Sequence, residues 1–429
     1  MINNSNFIYS NAEERQKLKE RFLGFKKIDK LKRTILFTTP SETGTSFFRL
    51  FTPMLAMAEK YPHEFNYVYW EQENFPVEWL HKVDLWVQHR AGSIHSNYLD
   101  MVKLFPMDVR KPVTIHDVDD NEMQLPPNHS MREMWYATGK DQMAKYQLSN
   151  VDYITTTGRA LKREFSKYNK HDNIEIFRNT FNWDLPQWNL EKPVHEKITI
   201  GWAGLTSHVE DLKKMSRILK VIHDKYPNVV FKIAGITHKD EQYVYKEDEN
   251  GEKRLVKEKI SDPTQTYKYR VSQMFNDFDK DRIELIGVLP LEEYGKFYTM
   301  WDINLAYVEH NTFNSQKSEI KIVEGARYKN INIYSNIGGY QEYTNFLPGE
   351  LKKIHIKHCA MRTEQVSEWV DSISFWVNAI REKNPIVDVV KEKSYDFVTD
   401  FYHVKNQVDK RLDFYKTCIY NKNKYSLVI

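Results

Sequence analysis

Short apolar runs rich in β-branched and aromatic residues recur along the chain: TILFTT (34–39), FNYVYW (65–70), DLWVQH (84–89), VTIH (113–116) and YITTT (153–157). Between them the spacing is that of amphipathic helices, as at 47–60 and 133–148. Short continuous apolar runs fit strands buried on both faces, and helices alternating with such strands cover a parallel sheet. The pattern pauses at 179–196, NTFNWDLPQWNLEKPVHE, where Asn, Pro and charge replace periodicity, which predicts an inter-domain linker. A second set follows: ITIGWAG (198–204), VVFKIAG (229–235), RIELIG (282–287), INLAYV (303–308) and INIYS (331–335). The expected fold is therefore α/β, with two doubly wound, Rossmann-like domains facing across a cleft.

Flanking segments extend this frame. Residues 12–33 read as a basic helix capped by Asn11, with Glu14 in its first turn. YVYKEDENGEKRLVKEK (243–259) reads as a charged hairpin turning at Asn250-Gly251. The tail after residue 362 is helical, anchored by Trp369, Phe375, Trp376, Phe397, Phe401 and Tyr402. The expected units are a basic extension (1–33), an N-terminal domain (34–190), a C-terminal domain (191–385) and helices returning to the first domain (386–429).

Composition narrows the classes. In 429 residues, 62 Lys and Arg face 59 Asp and Glu, a net charge of +3, which excludes a histone-like polycation or an acidic tail. Cys359 and Cys418 are too few for a disulfide framework or a zinc site. MINNSNFIYSNAEERQ has no apolar core of a secretory signal, and no apolar run approaches the ~18 residues of a membrane span. A soluble protein of a reducing cytoplasm is expected. P-loop, G-x-G-x-x-G, H-E-x-x-H and G-x-S-x-G motifs are all absent.

In open parallel sheets, ligands bind beyond the carboxyl ends of strands, so the loops there carry the candidate chemistry. PSETGTSFFR (40–49) offers Gly44 for close backbone approach and Thr45 or Ser46 as a helix cap. IHDVDDNE (115–122) places His116 and Asp117 at a strand end. Asp117, Asp119 and Asp120 form a nominal metal cluster, but such loop carboxylates are usually solvated or capping, and no metal site is assigned. WAGLTSHVEDL (202–212) presents Gly204, Thr206, Ser207 and His208 at a helix start that suits an anion. In FNSQKSEIKIVEGARYKNINIYSNIGGY (313–340), Ser318 can cap a helix with Ile320, Val323 and Ala326 buried. Lys317, Lys321, Glu324 and Tyr328 then form one polar stripe, the lysines suited to a diphosphate and Glu324 to a ribose diol.

With these residues in view, the chain resembles GT-B glycosyltransferases, glycosyltransferase family 4 in particular. That family carries Glu, seven residues, then Glu on a helix, followed by a strand and a glycine turn. Glu324 takes the second position, INIYS and Gly338-Gly339 follow, and Gln316 stands where the first Glu would be. WAGLTSH resembles the family's phosphate loop, Gly44, Arg49 and Pro53 its first-helix pattern, and His116 its strand-end histidine. The resemblance spans roughly 34–345. It implies retaining transfer from a nucleoside-diphosphate sugar, expected to be a UDP-sugar, with no metal or other cofactor. Gly44, Gly204, Thr206, Ser207, His208, Gln316, Lys317, Ser318, Lys321 and Glu324 would hold the donor, and His116 and Asp117 would be catalytic.

The Lys- and Asn-rich, glycine-poor composition resembles a phage protein, and T-even-like phages glycosylate hydroxymethylated bases of their own DNA. The expected acceptor is such double-stranded DNA in a host cytoplasm, contacted by Lys26, Lys27, Lys30 and Arg33. The alternatives are transfer to a surface polysaccharide or protein, and a non-catalytic scaffold that binds nucleotide sugar.

Overall fold

The computed structural model describes residues 8–24, 28–40, 43–71, 77–90, 97, 99–101, 104, 111–237, 241–247 and 253–426. Six strands form the first sheet: β1 (Arg33–Thr38), β2 (Phe65–Trp70), β3 (Leu85–His89), β4 (Val113–Val118), β5 (Tyr153–Thr156) and β6 (Ile174–Ile176). They run parallel in the order β2-β1-β3-β4-β5-β6. In the second half come β7 (Ile198–Ala203), β8 (Val229–Ile236), β9 (Glu241–Glu247), β10 (Lys253–Lys259), β11 (Ile283–Gly287), β12 (Ile303–Ala306), β13 (Ile331–Ser335) and β14 (Ala360–Met361). All but β9 and β10 form a second parallel sheet, ordered β11-β8-β7-β12-β13-β14. The two doubly wound lobes thus match the expected fold class. The short edge strands β6 and β14 escape the apolar-run signal because only two or three residues of each pair.

Strand order reverses at β7, which lies between β8 and β12. The crevice at such a switch point opens beyond the carboxyl ends of β7 and β12, at 204–208 and 307–319. Packing fixes the strands that frame it. A Cβ at Gly201 on β7 would lie 1.8 Å from the buried Trp301 ring, so only glycine admits that indole. Gly235, at φ +91°, lets β8 press on the turn after β7, its missing Cβ pointing 2.4 Å from the Gly204 carbonyl oxygen.

The chain crosses between lobes twice at one place. Phe181 bridges to His403, with Phe181 N–H donating to the Tyr402 carbonyl (3.0 Å) and Val404 N–H to the Phe181 carbonyl (2.8 Å). The Phe181 ring stacks on Trp183 at 4.4 Å. Helix Ile386–Phe401 stays against helix Ile320–Arg327 of the second lobe, whereas helix Val404–Ser426 lies on helix Thr52–Lys60 of the first.

The N-terminal segment differs from the expected basic face. Its helix runs only over Ala12–Glu20, capped by Asn11 as read, with the Asn11 side chain accepting from Glu14 N–H. Arg15 and Lys19 turn inward. Arg15 pairs with Glu292 of the second lobe, and Lys19 with Glu71 at 2.7 Å, because this helix fastens to the protein itself. Lys30 and Arg33 lie exposed beyond it, while Lys26 and Lys27 fall outside the described residues. The inserted hairpin is β9 paired antiparallel with β10; Asn250-Gly251 also falls outside the described residues.

Candidate active site

On the second lobe, β7 leads through Gly204 into a 3-10 turn, Thr206–His208, and then helix Val209–Lys225. Among the described residues no side chain caps that helix; Val209 N–H turns back to the Thr206 carbonyl and His208 N–H to the Leu205 carbonyl, so the N–H groups of Thr206 and Ser207 at the mouth of the turn are the ones suited to an anion. The His208 imidazole meets Asp211 at 2.7 Å, and Asp211 also accepts from Glu309 N–H at 2.8 Å. Burial, with Lys317 and Lys321 nearby, lowers His208 to about 3, so it is neutral in the free protein.

Opposite this turn lies helix Ile320–Arg327. Among the described residues the buried Lys321 ammonium has no hydrogen-bond partner, and it lies 5.3 Å from the centre of the Trp202 ring. Burial first, and then Lys317, lower it from 10.5 to about 8. Glu324 is 1% exposed, and one of its oxygens accepts from Tyr298 Oη at 2.5 Å. Burial raises it from 4.5 to about 8 against the pull of that bond and of Lys321. Two lysines, a helix start and a neutral imidazole thus surround one place, where the ionised Asp211 offsets only part of the positive charge.

Three details depart from the sequence reading. The helix begins at Ile320 after Glu319, so Lys317 sits on the preceding loop rather than on a continuous stripe. Ser318 does not cap it; its hydroxyl accepts from Asn179 Nδ2 at 2.9 Å. Tyr328, at the helix end, donates its hydroxyl to the Gln187 carbonyl, away from the polar residues.

The first lobe meets this loop directly. Gln316 donates to Gln124 Oε1 at 3.2 Å. Phe313 closes an apolar cluster with Leu125, Met134 and Trp135 of the first lobe, and Lys317 lies 4.8 Å above the Phe313 ring centre. Arg178 forks between Glu319 (2.7 Å) and Glu342, and Tyr402 Oη donates to the same Glu319 oxygen at 2.7 Å. Glu342 also accepts from Arg159 N–H at 2.8 Å. Across from Lys317, burial and Asp119 raise the Asp120 carboxyl, and burial raises Glu122 to about 7.

The pair expected to be catalytic is split. Asp117 is spent inside the first lobe: Arg49 donates to both its oxygens (2.9 and 2.6 Å), Thr155 donates at 2.6 Å, and His89 Nδ1 lies at 2.9 Å. Burial is outweighed by these partners, which hold its carboxyl far below the usual range. With these partners and no exposure it braces helix against sheet. His116 is its strand neighbour and so faces the other side of β4; it is 1% exposed. At Gly44, Thr43 supplies the cap, in a reciprocal box with Ser46, rather than Thr45 or Ser46 alone. A Cβ at Gly44 would meet open space.

The sequence reading missed Arg178, Glu319 and Glu342, since the linker's end carries no motif; only the fold brings Arg178 beside the loop at 313–319. Lys214, on the helix that follows the turn, pairs with Glu309 (2.6 Å) and Glu364 (2.9 Å). Among the described residues, no group of three His, Cys, Asp or Glu is placed to hold a metal ion.

No protein-family model and no curated protein matches this chain. Solved structures match its fold. A glycosyltransferase from Rickettsia africae is 14% identical over 90% of this chain and 99% of its own, with TM-score 0.57. The catalytic domain of starch synthase IV from Arabidopsis thaliana, bound to ADP and acarbose, is 10% identical over 79% and 73%, with TM-score 0.50. TarM, known from S. aureus, is 12% identical over 77% of this chain, with TM-score 0.50. The chain spans about half the length of TarM, 54% of the solved chain. The fold is that of GT-B glycosyltransferases, two Rossmann-like lobes about a cleft.

Proposed function

We propose that the protein is a glycosyltransferase that takes its sugar from a nucleoside-diphosphate donor, expected to be a UDP-sugar. One observation carries this reading: among the described residues the buried Lys321 ammonium beside Trp202 has no hydrogen-bond partner, and no side chain caps the helix start at Val209 across from it. A buried cation without a partner is costly, and a diphosphate supplies the missing charge. The fold shared with a starch synthase domain solved with ADP supports the same choice. In this reading Lys317, Lys321 and the N–H groups of Thr206 and Ser207 stabilise charge that develops on the leaving diphosphate as the glycosidic bond breaks. Glu324, next to Lys321 and anchored by Tyr298, takes the ribose hydroxyls through its remaining oxygen. The contacts of Phe313 and Gln316 with the first lobe keep water from the reacting centre.

Retention of the anomeric configuration is the outcome expected from the likeness to family 4. The test is incubation with a panel of nucleotide sugars and three acceptors: DNA bearing hydroxymethylated bases, a surface polysaccharide, and a protein. Nucleoside-diphosphate release and mass spectrometry of the acceptor are measured, with the product anomer read by NMR. Acceptor-dependent release, abolished by Glu324→Ala in a folded protein, is expected. Tight binding of the donor with no release on any acceptor refutes an enzyme and leaves a scaffold.

A further inference from the structure

A second concavity opens at the opposite edge of the second sheet. It has a volume of about 930 Å³, and Ile198, Asp302 and Lys329 on its wall stand at the amino ends of β7, β12 and β13. The residues described above occupy the carboxyl ends, so a strand length of about 20 Å separates the two places. Its cations are Lys192, Arg327, Lys329, Arg381, Lys383 and Lys391, set against the carboxylates Glu196 and Asp302.

Three of the six are already occupied. Arg327 donates to the Trp188 carbonyl (3.1 Å), Asn189 Oδ1 (2.7 Å), Thr399 Oγ1 (3.0 Å) and Tyr395 Oη (3.1 Å). Lys329 pairs with Glu392 at 2.6 Å. Lys192 bonds Asn330 and lies 4.0 Å from Asp302. Arg381, Lys383 and Lys391 make no ion pair among the described residues. Helix ends account for part of this charge, since Arg381 closes helix Val366–Arg381 and Lys383 follows it. Lys391 has no such reason, since it lies inside helix Ile386–Phe401, far from its carboxyl end. Its charge also helps burial push Lys192 down to about 8.

We propose that this cavity is a second anion site, which takes a small oxyanion of the phosphate class carrying two or more charges. Arg381, Lys383 and Lys391 hold the anion, while the exposed Val194 and the half-buried Leu190 and Ile380 offer an apolar wall for whatever the phosphate is attached to. Through Arg327 its floor is continuous with the helix that carries Lys321 and Glu324, so an occupant stiffens the linker behind that helix.

The test is calorimetric titration of the full chain with tripolyphosphate at low salt. The Lys321→Met background removes the buried ammonium at the other place. On that background one site is expected to persist. Adding Arg381→Gln, Lys383→Gln and Lys391→Gln weakens it at least about tenfold, since charged hydrogen bonds are lost. The same three changes in the otherwise native chain leave UDP binding unaltered, which reports an intact fold. Should the triple variant not fold, Lys391→Ala alone reads the loss in smaller measure. Absence of any binding on the Lys321→Met background, or unchanged affinity in the Gln variants, overturns the proposal.

Discussion

Replacing Lys321 by Met separates stability from binding. In the free protein the ammonium is buried with no hydrogen bond, and its acidity shifts from 10.5 to about 8. That shift of 2.5 corresponds to about 3 kcal/mol at 1.36 kcal/mol for each pH step, held as a penalty on the native state at neutral pH. Methionine has a similar length and no charge to desolvate. Lys321→Met is therefore expected to stabilise the free protein by roughly 1–3 kcal/mol, a rise of a few degrees in melting temperature for a lobe of this size. It is expected to weaken UDP by roughly 10- to 100-fold, the worth of one charged hydrogen bond or two. The pH dependence carries a sign. Between about 8 and 10.5 the unfolded chain holds a proton on Lys321 that the native chain has lost, so wild-type stability gains with rising pH. The advantage of the variant is thus full below pH 8 and fades as pH approaches 10.5. Differential scanning calorimetry across that range, with UDP titration at pH 7, measures both effects. A variant that melts lower than the wild type and binds UDP equally well would refute the reasoning, for Lys321 would then be a packing residue.

Two further outcomes test the surrounding frame. Asp117→Asn strands the fully buried Arg49 guanidinium, so a loss of about 3–5 kcal/mol is expected in chemical denaturation, with little change in UDP affinity for the protein that remains folded. Glu319→Gln keeps the shape of the loop but discharges the Arg178 fork; a kcat lowered about tenfold with donor affinity retained is expected in steady-state kinetics, and an unchanged kcat removes that fork from the positioning of the loop.

Much of the frame was readable before folding. The runs FNYVYW and INIYS coincide with β2 and β13 residue for residue, because strands buried on both faces are mostly apolar and admit a polar residue, such as Asn332 or Ser335, only where it is hydrogen-bonded. Loop chemistry was readable where it is local: Gly204, Thr206 and His208 lie on one turn, and the spacing from Lys321 to Glu324 is a single helical turn. Partnerships made over long distances were not. Nothing near Asp117 announces Arg49, 68 residues earlier, and nothing near residue 178 announces Glu319 or Glu342. A basic stretch such as 12–33 reads as one solvent-facing patch until Glu71 and Glu292 arrive from elsewhere in the chain to take Lys19 and Arg15 out of it.

The paired crossings at Phe181 and His403 have a mechanical consequence. Because both crossings share one point, the two lobes are joined by chain only there, and among the described residues every other tie between them, from Arg15–Glu292 to Gln316–Gln124, is a side-chain contact that can break without cutting the chain. Arg178 stands three residues from this point, so a change of angle between the lobes shifts its fork to Glu319 and Glu342 far less than it shifts the rim of the cleft, and the fork can outlast an opening that parts the rim.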